Sequence, residues 1–246
     1  MTLSIVARDL ETNDLGAAVT SRFFAVGSIV PWTRSGVGAV CTQALSDPRF
    51  GVRVLQALEA GIPVKLAVDG LMDGRENRGH AQLHGIAADG MTAAFTGAEC
   101  IEWSGSCAGD NASVAGNMLA GPGVVDATLE GFVASTGRPL AERLLRAIIA
   151  GERAGGDKRG KQSAAVVVHG ARSHADVNLR VDDHPDPVAE LWRIYEVGHA
   201  RYFGFLAAMR DDAPGRDLLE RRVEAWTAEH GNVDFSEFWS RDPWKD

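Results

Sequence analysis

The chain has 246 residues, of which 45% are hydrophobic and 24% charged, enough for one sizeable globular domain with an appendage. Its 28 glycines exceed the usual share without a fixed period, which excludes a collagen-like fibre and implies many tight turns. With 33 acidic against 25 basic side chains, the net charge of −8 lacks the basic field that nucleic acid or an anionic membrane requires and points to a soluble partner or a small-molecule substrate.

No apolar run approaches the roughly 20 residues that span a bilayer, and residues 1–9 lack the basic-then-apolar pattern of a secretory signal, so a cytoplasmic protein is expected. Cys41, Cys100 and Cys107 form no CxxC pair. A disulfide framework and a structural zinc site are therefore unsupported, and no metal or cofactor is expected.

Apolar runs at residues 3–7 and 15–19 flank the turn-forming Asp9-Leu10-Glu11-Thr12-Asn13-Asp14 and read as an opening hairpin. Residues 35–43 read as a buried strand entered through Gly36 and Gly38, where backbones approach closely. Helical spacing follows over 50–60, stopped by Gly61, and over 63–72 with Pro63 in the first turn. Runs at 80–87 and 91–95 around Ala88-Asp89-Gly90 form a second hairpin, and 113–119 a further strand. Two helices are expected at 124–135 and 140–153, the second with Leu144, Leu145, Ile148 and Ile149 as an apolar stripe, then strands at 162–169 and 177–181. This order of strands and paired helices fits an α+β sandwich of two sheets covered by helices on both outer faces.

Beyond His184 the Pro185-Asp186-Pro187 break leads into a charged, aromatic-rich helical extension, so the expected domains are 1–184 and 185–246. In the extension, Leu191, Ile194, Tyr195, Tyr202, Phe203 and Leu206 make one amphipathic helix and residues 218–228 another. Trp226, Trp239 and Trp244 can dock on a second subunit, giving a homo-oligomer, or fold back on their own domain.

If Met1 is removed, the Thr2 hydroxyl sits beside a free α-amine whose ordinary pKa of about 7.7–8.0 suits it as the general base for that hydroxyl. Thr2 is equally at home as an ordinary strand residue. Ser4 shares its strand face and reads as a hydroxyl bonded within the sheet. Thr20-Ser21-Arg22 ends the second strand near Thr2, where Arg22 either lowers the amine's pKa, holds a substrate carboxylate, or simply closes a hairpin. Thr42-Gln43 can add a hydroxyl and an amide to the same rim.

The densest polar segment, Gly155-Gly156-Asp157-Lys158-Arg159-Gly160-Lys161, can expose N–H groups and cations to an anion, or serve as a solvated connection; it lacks the Walker A spacing. Asn117 is either an oxyanion donor or a buried amide tied to backbone. His80 and His84 read as two separate strand residues, Asp182-Asp183-His184 as an acidic turn, and Cys100 as core.

Several blocks together carry a resemblance. Ser4-Ile5-Val6-Ala7-Arg8-Asp9, Ser21-Arg22-Phe23-Phe24-Ala25-Val26-Gly27, Gly36-Val37-Gly38-Ala39-Val40 with Thr42-Gln43, and Thr96-Gly97 with Cys100 come first. Gly116-Asn117-Met118-Leu119, Gly156-Asp157-Lys158-Arg159-Gly160-Lys161-Gln162-Ser163-Ala164 and Leu179-Arg180-Val181-Asp182-Asp183-His184-Pro185 complete them. In order, from about residue 2 to about residue 191, they resemble the signature blocks of the family called domain of unknown function 1028.

The resemblance implies a four-layer αββα sandwich like that of the N-terminal nucleophile hydrolases, shared with proteasome subunits and N-terminal-threonine amidases. In that superfamily an N-terminal Thr, Ser or Cys attacks an amide carbonyl and its α-amine shuttles the proton. Carried over by position, Thr2 is the nucleophile and base, Ser21 and Arg22 line the site, and Asn117, Asp157 and Lys158 lie nearby. Together with Gln43 and Arg159 from the residue reading, the catalytic candidates are Thr2, Ser21 and Asn117 and the substrate-binding ones Arg22, Gln43, Asp157, Lys158 and Arg159. Self-cleavage often exposes the nucleophile in that superfamily; here only Met1 precedes Thr2, so the mechanism requires that simple Met1 removal suffice.

The expected function is an amidohydrolase acting on a small anionic amide or ureido-type substrate. The competing readings are a non-catalytic anion-binding module using the glycine-rich loop, and a scaffold using the C-terminal helices.

Overall fold

The computed structural model describes residues 2–45, 47–204, 224, 227–229 and 231. Its first half contains β1 (Thr2–Arg8), β2 (Leu15–Ser21), β3 (Pro31–Arg34), β4 (Gly38–Ala44), α1 (Arg49–Glu59), α2 (Val64–Met72), β5 (Ala81–Ala87) and β6 (Thr92–Thr96). β7 (Gly105–Gly109), β8 (Ala112–Asn117), α3 (Gly123–Val133), α4 (Leu140–Arg153), β9 (Ser163–His169), β10 (Val177–Val181) and α5 (Pro187–Arg201) follow. The protein is thus mixed α+β, and every strand pairing is antiparallel.

One sheet runs β10-β9-β2-β1-β8-β7 and the other β3-β4-β5-β6. The sheets face one another through β1, β2 and β8 on one side and β4 and β5 on the other, with α1 and α2 against the four-stranded sheet and α3 and α4 against the six-stranded one. The opening hairpin closes as its sequence dictates, because Asp9 Oδ1 accepts the Glu11 and Thr12 N–H groups and Asn13 takes a left-handed φ of 63°. The stripe on α4 buries Leu144, Leu145 and Ile148 completely, each contributing about 1.5–3 kcal/mol.

Three elements differ from the sequence expectation. Residues 35–37 are a turn rather than the start of a strand: Gly36 sits at φ 65° with open space where a side chain would go, whereas a Cβ on Gly38 would lie 2.6 Å from the Ile86 carbonyl oxygen. The sequence pattern marks neither β3 nor β7, and both are edge strands. β3 opens on a proline and β7 contains no β-branched residue.

The chain divides into two compact units, Met1–Ile194 and Tyr195–Asp246. Within the second, the Tyr195 and Phe203 ring centroids are 5.7 Å apart. Leu206, most of the helix expected over 218–228, and Trp226, Trp239 and Trp244 lie outside the described residues. No described helix is long and apolar enough to cross a membrane.

Candidate active site

Strand alternation along β1 sets the site. Leu3 lies against Gly151 of α4, so the residues on either side of it face the opposite sheet. Val6 joins Ala39, Cys41 and Ile86 in an apolar core between the sheets, Ser4 reaches a polar seam, and Thr2 borders a cleft. One strand face thus grades from hydrocarbon to solvent over five residues.

The seam is continuous. Ser4 Oγ donates to Gln43 Oε1 (2.6 Å), and Gln43 Nε2 donates to Gln82 Oε1 (2.8 Å), which also accepts from Asn117 Nδ2 (2.9 Å). Gln82 Nε2 in turn lies 3.0 Å from Thr96 Oγ1 and 3.2 and 2.9 Å from the Gly105 and Gly116 carbonyl oxygens. In the other direction Ser4 Oγ meets His84 Nε2 at 2.8 Å, and His84 Nδ1 meets Ser113 Oγ at 3.1 Å. Because the Ser4 hydrogen goes to Gln43, this pattern assigns the His84 hydrogen to Nε2, leaving Nδ1 to accept from Ser113. Burial pushes the His84 pKa down to about 3, so the ring is uncharged at neutral pH. A buried network with its donors engaged holds one arrangement, and this one ends on the Gln43 and Asn117 amides at the cleft.

The cleft encloses about 290 Å3, and Thr2, Gln43, Asn117 and Arg159 are among its lining residues. Thr2 pairs with Asn117 of β8 and Leu3 with Thr20 of β2, which brings the Ser21 hydroxyl within 3.3 Å of Thr2 Oγ1. Ala44 and Met118, also in the lining, hold left-handed backbone at φ 64° and 55°, a conformation costing of order 1–3 kcal/mol where the residue is not glycine. Cys100 borders the cleft too, but burial raises its thiol pKa and disfavours the nucleophilic thiolate.

The glycine-rich loop closes on its own carboxylate. Asp157, its side chain 1% exposed, accepts the Arg22 N–H at Oδ2 (3.0 Å) and the Arg159 N–H at Oδ1 (2.7 Å), while the Arg159 guanidinium stands 3.4 Å from Oδ2. Arg22 Nη1 donates to the Arg159 carbonyl at 2.7 Å, and Lys158 Nζ to the Glu102 carbonyl at 2.6 Å. The main-chain N–H groups of Gly155, Gly156, Lys158 and Gly160 bond to Glu152, Gly151, Met118 and Asp157 carbonyls. The cations and amides of this segment are largely engaged in holding the loop.

The structure therefore gathers Thr2, Ser21, Gln43, Asn117 and Arg159 at one place, while Arg22 lines a neighbouring depression and Asp157 and Lys158 fix the loop behind. The Ser4 hydroxyl bonds to the opposite sheet, not within its own, because its strand face points between the sheets. Asn117 is tied to the Gln82 side chain rather than to backbone. His80 ends a 3-10 turn and pairs with Glu99 at 2.8 Å, so only His84 is a strand residue. Gln82 is not among the residues that the sequence singles out; its one signal is a polar side chain that alternates with Leu83 beside His84 in an otherwise apolar run.

These elements define a mixed α+β protein with a cleft at the end of a central strand, its lining combining the polar Thr2, Gln43 and Asn117 with apolar side chains. Residues 2–191 match the model of a family of unknown function, domain of unknown function 1028, and the chain belongs to that family. It is 33% identical to protein SPO2555 from Silicibacter pomeroyi, a structure described with the same family model; the match has a TM-score of 0.77 and covers 84% of this chain and 89% of that one. A weaker match, to Anbu, an ancestral beta-subunit from Yersinia bercovieri, has a TM-score of 0.40 at 11% identity over 87% of this chain and 99% of that one. Among curated proteins none matches the chain.

Proposed function

We propose that the chain is an N-terminal-nucleophile amidohydrolase, its two sheets and two helical layers forming the αββα sandwich of that superfamily. It cleaves a small anionic amide or ureido-type substrate with Thr2 after removal of Met1. The observation that carries this reading is the position of Thr2: it starts the central strand β1, borders a cleft of about 290 Å3, and has the Ser21 hydroxyl 3.3 Å away.

The chemistry balances with the chain's own groups. As Thr2 Oγ1 attacks the carbonyl carbon, the freed α-amine takes its proton. Asn117 Nδ2 and Gln43 Nε2 each carry a second hydrogen beyond the one given to Gln82, and these amides supply donors for the developing oxyanion. Collapse breaks the C–N bond, the ammonium returns its proton to the leaving amine, and an ester remains on Thr2. Water, deprotonated by the same amine, then hydrolyses the ester, so amide and water become carboxylic acid and amine. Arg159 meets the substrate's anionic group at the cleft, with Asp157, Arg22 and Lys158 setting the loop that presents it.

Intact mass offers the first test. Purified protein should lack Met1, and Thr2→Ala should abolish turnover of a panel of small amides with an unchanged melting temperature. An active enzyme that retains Met1 would contradict the mechanism, because its α-amine is then an amide.

A further inference from the structure

Resting on the reading above for a scissile bond at Thr2 and an anionic group at Arg159, we propose that the substrate is a short-chain N-acyl amino acid, its apolar acyl group held between the sheets and its carboxylate at Arg159. Next to the polar trio of Thr2, Gln43 and Asn117, the cleft is walled by Val26, Ile29, Val30, Pro48 and Cys100. Val26 and Val30 belong to the buried apolar core and Ile29 packs against it, so this wall is hydrocarbon backed by hydrocarbon. Phe23, Leu45 and Ile101 at the same cleft are 55%, 76% and 57% exposed. Large apolar side chains clustered around one opening mark a surface that an apolar group covers.

One charged lining residue, Arg159, fits the other end of such a molecule. His80 and Glu99 pair with one another at 2.8 Å, and Arg159 supplies a cation held by Asp157. A small, wholly ionic substrate would leave most of this wall unmatched. The volume of about 290 Å3 equals that of roughly ten liquid waters at about 30 Å3 each, which admits an acyl chain of about four to eight carbons.

Calorimetry on the Thr2→Ala protein with acetyl-, butanoyl-, hexanoyl- and dodecanoylglycine tests this without hydrolysis. Affinity should rise about fourfold per methylene up to hexanoyl and then fall. Ile29→Phe should move the optimum to a shorter chain, and Arg159→Ala should weaken the acylglycines about tenfold while leaving N-acyl methylamides unchanged. A flat dependence on chain length, or ureidoacetate binding as tightly as hexanoylglycine, overturns the proposal. Chain-length-dependent binding together with undiminished turnover by Thr2→Ala overturns the nucleophile assignment alone, so the two failures are distinguishable.

Discussion

The seam between the sheets and the glycine-rich loop are both dense in polar groups, yet they are built on opposite terms. The seam is uncharged and buried, and its side chains bond to each other across two sheets, from Ser113 through His84, Ser4, Gln43 and Gln82 to Asn117. The loop is charged, its cations exposed, and it is organised about one buried carboxylate, Asp157. The difference separates two tasks: the seam fixes the amides beside Thr2 without placing charge there, and the loop brings a cation to the edge of the cleft. Polar density alone does not locate a site; what each polar group is already bonded to decides it.

The contrast breaks most severely at Gln82. Gln82→Leu removes the acceptor of Gln43 Nε2 and Asn117 Nδ2 and the donor to two main-chain carbonyls and should cost about 4 kcal/mol, read from urea unfolding. Next comes pH. Between His84's ordinary 6.5 and its buried value of about 3, the unfolded chain takes up a proton that the folded chain refuses. Stability from this residue is complete above about pH 6.5 and falls as pH drops toward 3, by about 2 kcal/mol at pH 5. Urea midpoints at pH 7 and pH 5 measure that slope, and His84→Gln should flatten it.

In the loop, Asp157→Ala strips the acceptor from the Arg22 and Arg159 N–H groups and should cost about 2 kcal/mol, seen as a lowered melting temperature. Lys158→Ala removes an exposed contact to the Glu102 carbonyl and should change stability by less than about 1 kcal/mol. If Lys158→Ala proved as damaging as Gln82→Leu, the division of labour between loop and seam would be wrong.

Much of the frame was legible because hydrophobic periodicity and turn chemistry act locally. The β1–β2 turn announces itself in Asp9 and Asn13, and α4 in its stripe of Leu144, Leu145 and Ile148. Edge strands β3 and β7 escaped because each pairs on one side only and needs few of the β-branched residues that mark a central strand. The site was half legible. Thr2 shows through its place in the chain and Asn117 through a polar residue in a glycine-rich strand end, but Gln82 and His84 alternate with Leu83 as an exposed face would. A second sheet covers that face here, and no local pattern encodes the cover. Charge density drew attention to Asp157 and Lys158, whose side chains turn out to tie the loop together.

The most direct measurement is covalent labelling of the mature N-terminus. A β-lactone, opened by a hydroxyl beside a free amine, should add its full mass to the wild-type protein, with peptide mapping placing the ester on Thr2. The label should be absent from Thr2→Ala and from any fraction that retains Met1. A lactone adduct on another residue, or none on protein shown by intact mass to begin at Thr2, would contradict Thr2 as the nucleophile.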